Sequence, residues 1–383
     1  MKKIYLCLRN LRFVCFLTGI LMSASLFGQL PTAQQIASKM QIGWNMGNTL
    51  EAIGGEQAWG GAYTTQALID QVKASGFNTV RLPAAWFTHS DTINSVIDAA
   101  WIARVKEVVD YCMNNNMYVV LNMHWDKGWL KDRVNEANKD QVNSRLDKYW
   151  KQIATYFKDY DEHLLFAGAN EPSVKDATGM AVLTSYYQTF INAVRVTGGN
   201  NSSRTLIIQG PATDIEKTNN LMNTLPSDWI SDRMMVEVHY YTPYQFCLMD
   251  KDEEWGKIVY YWGNGYHSST DTKRNATGGE EDFVDYAFGL MKSKFVDKGI
   301  PVIIGEFSAS KRDLTYPSDQ TLHEASRKYY YKYVVSAAIS RGLVPMCWDL
   351  NEQIFDRENA TVLDQGLIDA MLQGEAAAHV SIK

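Results

Sequence analysis

The chain has 383 residues, 46% of them hydrophobic, and a net charge of −6. That is ample apolar material for a large core, and an acidic balance without a basic stripe excludes a nucleic-acid partner. Eleven Trp and 21 Tyr offer flat faces that suit sugar rings, but they suit ordinary cores as well, so composition alone decides nothing.

Residues 1–28 read as a secretory signal. Lys2, Lys3, Arg9 and Arg12 form a basic start, Phe13 to Met22 an apolar run, and small residues lead to Gly28 as the last residue before cleavage. The run is too short and too soon broken for a membrane span. The expectation is a secreted protein, periplasmic or extracellular, with no stable membrane insertion once the signal is cleaved. Cleavage removes Cys7 and Cys15. Cys112, Cys247 and Cys347 remain, which is no disulfide framework, and no CxxC offers a metal site.

Gln29 to Met40 is a short helical lead-in. Gln41 to Asn48 is strand-like, Thr64 to Ser75 helical, and Phe77 to Pro83 a strand closed by proline, with Arg81 near its end. Asp98 to Asn115 is a helix with Ile102, Val105, Val108, Val109 and Cys112 on its apolar face. Met117 to Met123 is a strand running into His124-Trp125-Asp126. A helix over Gln141 to Asp159 precedes the apolar run Leu164 to Ala169, which ends abruptly in Asn170-Glu171-Pro172. A helix over Met180 to Val196 and a strand over Thr205 to Gln209 follow. The strand from Met234 to Val238 leads into His239-Tyr240-Tyr241, and Glu281 to Lys298 is helical. Ile300 to Phe307 repeats the earlier design, with Glu306 at the end of a buried strand. A helix over Gln320 to Arg341, stopped by Gly342, and a strand over Val344 to Cys347 with Trp348 at its end complete the series.

Eight short apolar strands alternating with amphipathic helices imply a parallel sheet buried on both faces: a single-domain α/β fold, the (β/α)8 TIM barrel, over residues 29–383. In such a barrel the strand ends converge. Arg81, His124, Asn170, Glu171, His239, Tyr241, Glu306 and Trp348, far apart in sequence, would then line one cleft. Two long loops, Trp125 to about Asp140 and Thr242 to Glu280, would wall it with Trp125, Trp129, Trp255, Tyr260, Tyr261, Trp262 and Tyr266.

Cleaving an acetal needs a proton for the leaving oxygen and an anion for the oxocarbenium carbon, so one carboxyl must be protonated and the other ionised. Glu306 is the better nucleophile, since Arg81 and the Tyr241 hydroxyl could stabilise its anion. Glu171 is the better acid/base, with Asn170 placed to hold a sugar 2-hydroxyl. His124 and His239 could orient the carboxylates or bind hydroxyls, and Trp348 offers a stacking floor.

These residues carry a resemblance. Asn170-Glu171-Pro172, Glu306 after a Val-Ile-Ile-Gly run, Arg81 in Val-Arg-Leu-Pro and His239-Tyr240-Tyr241 resemble glycoside hydrolase family 5, the cellulase family. Gly43-Trp44-Asn45-Met46-Gly47-Asn48-Thr49-Leu50 and Ala58-Trp59-Gly60 are similar to its endoglucanase and xyloglucanase branch. The resemblance implies Glu171 as acid/base and Glu306 as nucleophile. It implies Arg81, His124, Asn170, His239, Tyr241 and Trp348 as the supporting set, with Asn48, Trp59 and Trp125 as substrate contacts. Trp125 departs from the many members that have a second His there.

Other readings fare worse. His124-Trp125-Asp126 is not a His-x-His pair, and His323-Glu324 lacks the second His of a zinc-protease motif, so no metal is expected. No GxGxxG or phosphate loop supports a nucleotide, so no cofactor is expected. A carbohydrate-binding barrel that has lost catalysis would usually have lost a carboxylate. The expectation is a monomeric, retaining endo-β-1,4-glucanase acting on a β-glucan polysaccharide, its carboxyls about 5 Å apart. Xyloglucan, mixed-linkage glucan or mannan are alternative substrates.

Overall fold

The computed structural model describes residues 30–349 and 353–381; the expected signal segment lies outside them. Eight strands close into a barrel in chain order. They are β1 (Gly43–Asn45), β2 (Thr79–Leu82), β3 (Tyr118–Asn122) and β4 (Leu164–Ala167). The second half is β5 (Leu206–Gln209), β6 (Met234–Tyr240), β7 (Val302–Phe307) and β8 (Leu343–Trp348). All eight pairings are parallel, including the closing pair β1–β8. The expected TIM barrel is the observed fold.

Alternation along each strand separates two cores. Val119, Leu121, Leu164 and Ile208 face outward onto the helices, whereas Val120, Leu165, Ile207, Met235, Ile303 and Met346 fill the barrel. Ala33, Ile36 and Met40 of the lead-in join the interior cluster and plug the end at which the strands begin. Above this apolar floor the inward positions turn polar: Asn45, Arg81, Gln209 and Glu237 are fully buried.

One irregularity aims the chemistry. Along β6–β7, Val238 pairs with Ile304 but His239 with Glu306; along β7–β8, Pro345 pairs with Ile304 but Cys347 with Phe307. β7 therefore carries one extra residue, Gly305, relative to both neighbours. Strict alternation would put Glu306 on the same side as Ile304, outside the barrel. The bulge resets the parity and turns Glu306 inward.

The long loops differ from expectation. Trp255 is exposed, but Tyr261, Trp262 and Trp129 are buried and belong to the core rather than to a cleft wall. The Trp262 indole donates to the Gly279 carbonyl and its backbone N–H to Ser326 Oγ, which ties the 242–280 insert to the helix Pro317–Ser340. Burying an indole is worth a few kcal/mol, so this loop contributes core material. A further helix, Gln365–Ser381, went unforeseen. It lays Leu367, Met371, Gly374 and Ala378 on one buried face.

Candidate active site

The two glutamates reach the cleft by different local routes. β4 ends at Ala167, and the chain passes Gly168, where a Cβ would come within 2.8 Å of the Phe190 ring. Gln209 Oε1 then accepts from the Ala169 N–H at 2.9 Å, steadying the turn into Asn170-Glu171. Glu306 sits just after the β7 bulge. One carboxylate oxygen of Glu171, one of Glu306 and a ring nitrogen of His239 all lie within 4.8 Å of one another.

Glu306 is held at both oxygens. Arg81 Nη1 donates to Oε1 and the Tyr241 hydroxyl to Oε2, each at 2.9 Å. Burial and the Glu306 anion push the Tyr241 phenol well up, so it stays a donor. Arg81 also donates from Nη1 to Asn45 Oδ1 at 2.9 Å and from Nη2 to Asn170 Oδ1 at 2.8 Å. A fully buried guanidinium with this many partners is a rigid fixture.

Glu171 is more open. His239 Nδ1 lies 3.1 Å from its Oε1, and Lys131 Nζ donates to Oε2 at 2.8 Å. Burial works to raise this carboxyl, but His239 and Lys131 outweigh it and hold it below the usual range. Burial works against charge on His239 too. Glu306, Glu171 and Glu237 prevail and lift it to about 9. His239 and Glu171 together therefore hold, beyond the N–H that a neutral imidazole keeps, one further proton at neutral pH.

The remaining expected residues have separate places. His124 accepts no charge, since burial and Arg81 push it well below its ordinary value. Its ring stacks on Trp348 at 5.9 Å rather than on a carboxylate. Trp348 is 9% exposed and lies against Gly47, where a Cβ would meet the indole at 2.3 Å. Asn48 has φ +59°, a left-handed position that Asn tolerates, and its N–H donates to buried Glu51. Trp59 and Trp125 present exposed indoles on the loops after β1 and β3.

Sequence reading missed Lys131, Asn45, Gln209 and Glu237. Glu237 was within reach: it stands two residues before His239 on β6, so the two share the inward face. The Glu171–His239–Glu306 group could in principle gather a cation, but Lys131 and Arg81 already supply positive charge to its two carboxylates, which disfavours one. The arrangement suits acid/base and nucleophilic chemistry on a neutral polyol.

The comparisons identify the family. The family model Cellulase (glycosyl hydrolase family 5) matches residues 39–353. Endoglucanase A of Paenibacillus barcinonensis is 37% identical, over 90% of this chain and 90% of its own. The xyloglucan-specific endo-beta-1,4-glucanase BoGH5A of Bacteroides ovatus is 36% identical, over 90% of this chain and 70% of its own. A solved xyloglucan-specific beta-1,4-glucanase from a ruminal metagenomic library, in complex with XXLG, superposes with a TM-score of 0.83 at 43% identity, covering 91% of this chain and 97% of that one. With the barrel, the paired carboxylates and a match across most of its length, the chain belongs to glycosyl hydrolase family 5 and is a glycoside hydrolase of the endoglucanase type.

Proposed function

We propose that the protein is a secreted endo-β-1,4-glucanase that retains anomeric configuration, with xyloglucan as its foremost substrate. The observation that carries the mechanism is the closeness of the two carboxylates, within 4.8 Å at their facing oxygens. Retaining enzymes hold theirs about 5–5.5 Å apart, whereas inverting ones leave about 6.5–9.5 Å for a water. Glu306, fixed by Arg81 and Tyr241, attacks the anomeric carbon. Glu171 gives its proton to the departing glycosidic oxygen, and a covalent glycosyl–Glu306 ester forms. Glu171, now an anion, takes a proton from water as that water attacks the ester, and the configuration is restored. Secretion is supported by the basic-then-apolar pattern of residues 1–28.

Xyloglucan is favoured among β-glucans because the 43%-identical metagenomic enzyme and the Bacteroides ovatus relative both act on it by name. The exposed indoles Trp59 and Trp125 supply stacking surfaces for a polymer chain. The test is reducing-sugar release from xyloglucan, carboxymethylcellulose, barley β-glucan, glucomannan and xylan. Glu306→Ala should lower turnover on every active polymer by on the order of 10⁴-fold or more. Azide should restore cleavage of an activated aryl glycoside in that variant, giving the product of inverted configuration. Glu171→Ala should fail most on poor leaving groups. Equal loss on good and poor leaving groups would remove Glu171 from the acid role. Absent xyloglucan activity with strong carboxymethylcellulose activity would overturn the substrate preference.

A further inference from the structure

Beneath the two catalytic carboxylates lies a third, Glu237, fully buried on β6. Its Oε1 is 2.8 Å from Arg81 Nε, an ion pair too bent to count as a hydrogen bond, and 3.2 Å from His239 Nε2. Gln209 Nε2 donates to its Oε2 at 2.6 Å. β7 makes room for it: a Cβ at Gly305 would sit 2.1 Å from Glu237 Oε1. The glycine that re-aims Glu306 is thus also the one that lets Glu237 reach His239.

We propose that Glu237 is a positioning residue for the acid, locking His239 with its proton on Nε2 so that Nδ1 and Glu171 share one further proton. The argument is one of donors and acceptors. Burial opposes charge on Glu237, but Arg81 and His239 keep it ionised, so it can only accept. Nε2 of His239 must therefore donate. Nδ1 then faces Glu171 Oε1 at 3.1 Å and Glu306 Oε2 at 3.5 Å. With Nε2–H fixed, Nδ1 either holds a proton and gives it to the Glu171 anion, or is bare and receives it from the Glu171 acid. The pair is a store for the proton that the leaving group needs.

This store is tied to the state of the nucleophile. Arg81 on β2 and His124 beyond β3 also act on His239, while Lys131 on the following loop lies against Glu171 and Tyr241 beyond β6 against Glu306. Glu237 keeps its charge throughout, whereas Glu306 and the His239–Glu171 pair change theirs in the reaction. When Glu306 becomes an ester it loses its negative charge, and in the same step the shared proton leaves with the departing sugar oxygen. Hydrolysis restores both: water supplies the proton to Glu171 while its oxygen takes the sugar. The proton count closes over the cycle, and net charge at the cleft floor stays constant.

The inference rests on Glu171 being the acid, and the two can fail separately. The tautomer can be read in the wild-type enzyme by ¹⁵N-histidine NMR, whatever Glu171 does, with His239→Asn identifying the signal among seven histidines. Above the pH at which the shared proton leaves, His239 should be the Nε2–H tautomer. An Nδ1–H tautomer overturns the proposal. The second arm is the pH profile of kcat/KM on an aryl cellobioside. Glu237→Gln removes an anion that holds the shared proton, so the basic limb should move down by about one pH unit. Glu237→Asp, which keeps the charge, should leave that limb near its wild-type place even where kcat falls. A Gln variant with the wild-type basic limb overturns the proposal. Should the Gln variant not fold, the tautomer measurement still decides.

Discussion

At the residue scale the site is a set of competing charges around one proton, and Lys131 sets itself against Glu237. Its ammonium lies 2.8 Å from Glu171 Oε2, and both side chains are about 30% exposed. A cation there repels the proton that His239 and Glu171 share. Lys131→Met should let that proton be held more tightly and move the basic limb of kcat/KM upward, opposite to Glu237→Gln. Exposure screens the pair, so the movement should be a few tenths of a pH unit. Raising the salt to about 1 M should bring the wild-type profile toward that of the variant. A downward shift in Lys131→Met would mean that the lysine does not act on this proton. Neither residue was easy to see in the sequence. Glu237 sits inside an apolar strand, and Lys131 in a loop without periodicity. Glu306 was read as a site residue from its place at the end of a buried strand, which alternation alone would not have supported. Counting by twos along Val-Ile-Ile-Gly-Glu sends it outward with Ile304, and only the bulge at Gly305 turns it in.

At the element scale the eight strands were readable because each is a short run with nearly every position buried, as in Leu164–Ala167. The strand ends were readable because proline or a polar residue breaks each run. What escaped was whatever breaks the expected period or joins elements far apart. The 242–280 insert carries aromatics that look like cleft walls, yet Tyr261 and Trp262 face the protein. The final helix, Gln365–Ser381, is rich in alanine and interrupted by Gly374, a weak amphipathic signal. Its packing explains that glycine. A Cβ at Gly374 would lie 2.4 Å from the Lys332 carbonyl oxygen on the helix Pro317–Ser340. Two effects oppose each other in Gly374→Ala. Helix propensity favours alanine by about 1 kcal/mol. The clash is with backbone, which cannot swing aside, and overpacking of this kind costs about 1–3 kcal/mol. The clash should win or at best tie, so the melting temperature should fall by a few degrees. A clear rise would show that the two helices slide apart without loss.

At the scale of the whole molecule the barrel assembles remote residues into one site, and it also buries charges whose titration must couple to folding. The direction of each is fixed by its surroundings. Burial raises Glu51 from 4.5 to about 7, despite the N–H groups of Thr49 and Asn48 that it accepts from. A carboxyl raised on folding stabilises fully below its unfolded value, and that stability is lost as pH climbs through 7. His239 goes the same way over a later window. Lifted from 6.5 to about 9 against its burial by Glu306, Glu171 and Glu237, it loses its contribution as pH rises across that interval. Glu171 and Glu237 are held low, so theirs is present above 4.5 and lost as the solution becomes more acid than that. His124 and His323 oppose Glu51: burial holds both below 6.5, the latter at about 4, so they add stability as pH rises toward 6.5. The sum places maximal stability near pH 6.5, with a decline toward pH 9 and another toward acid. Thermal unfolding followed from pH 3 to 10 should trace this asymmetric dome. Glu51→Gln should steepen the rise between about pH 4.5 and 6.5, where the wild-type carboxyl forfeits about 1.4 kcal/mol per pH unit. It should leave the decline from 7 to 9 in place, because that part belongs to His239. A melting temperature that rises steadily from pH 5 to 8 would mean that these buried groups are ionised at no cost, and the charge assignments at the floor of the cleft would have to be redrawn.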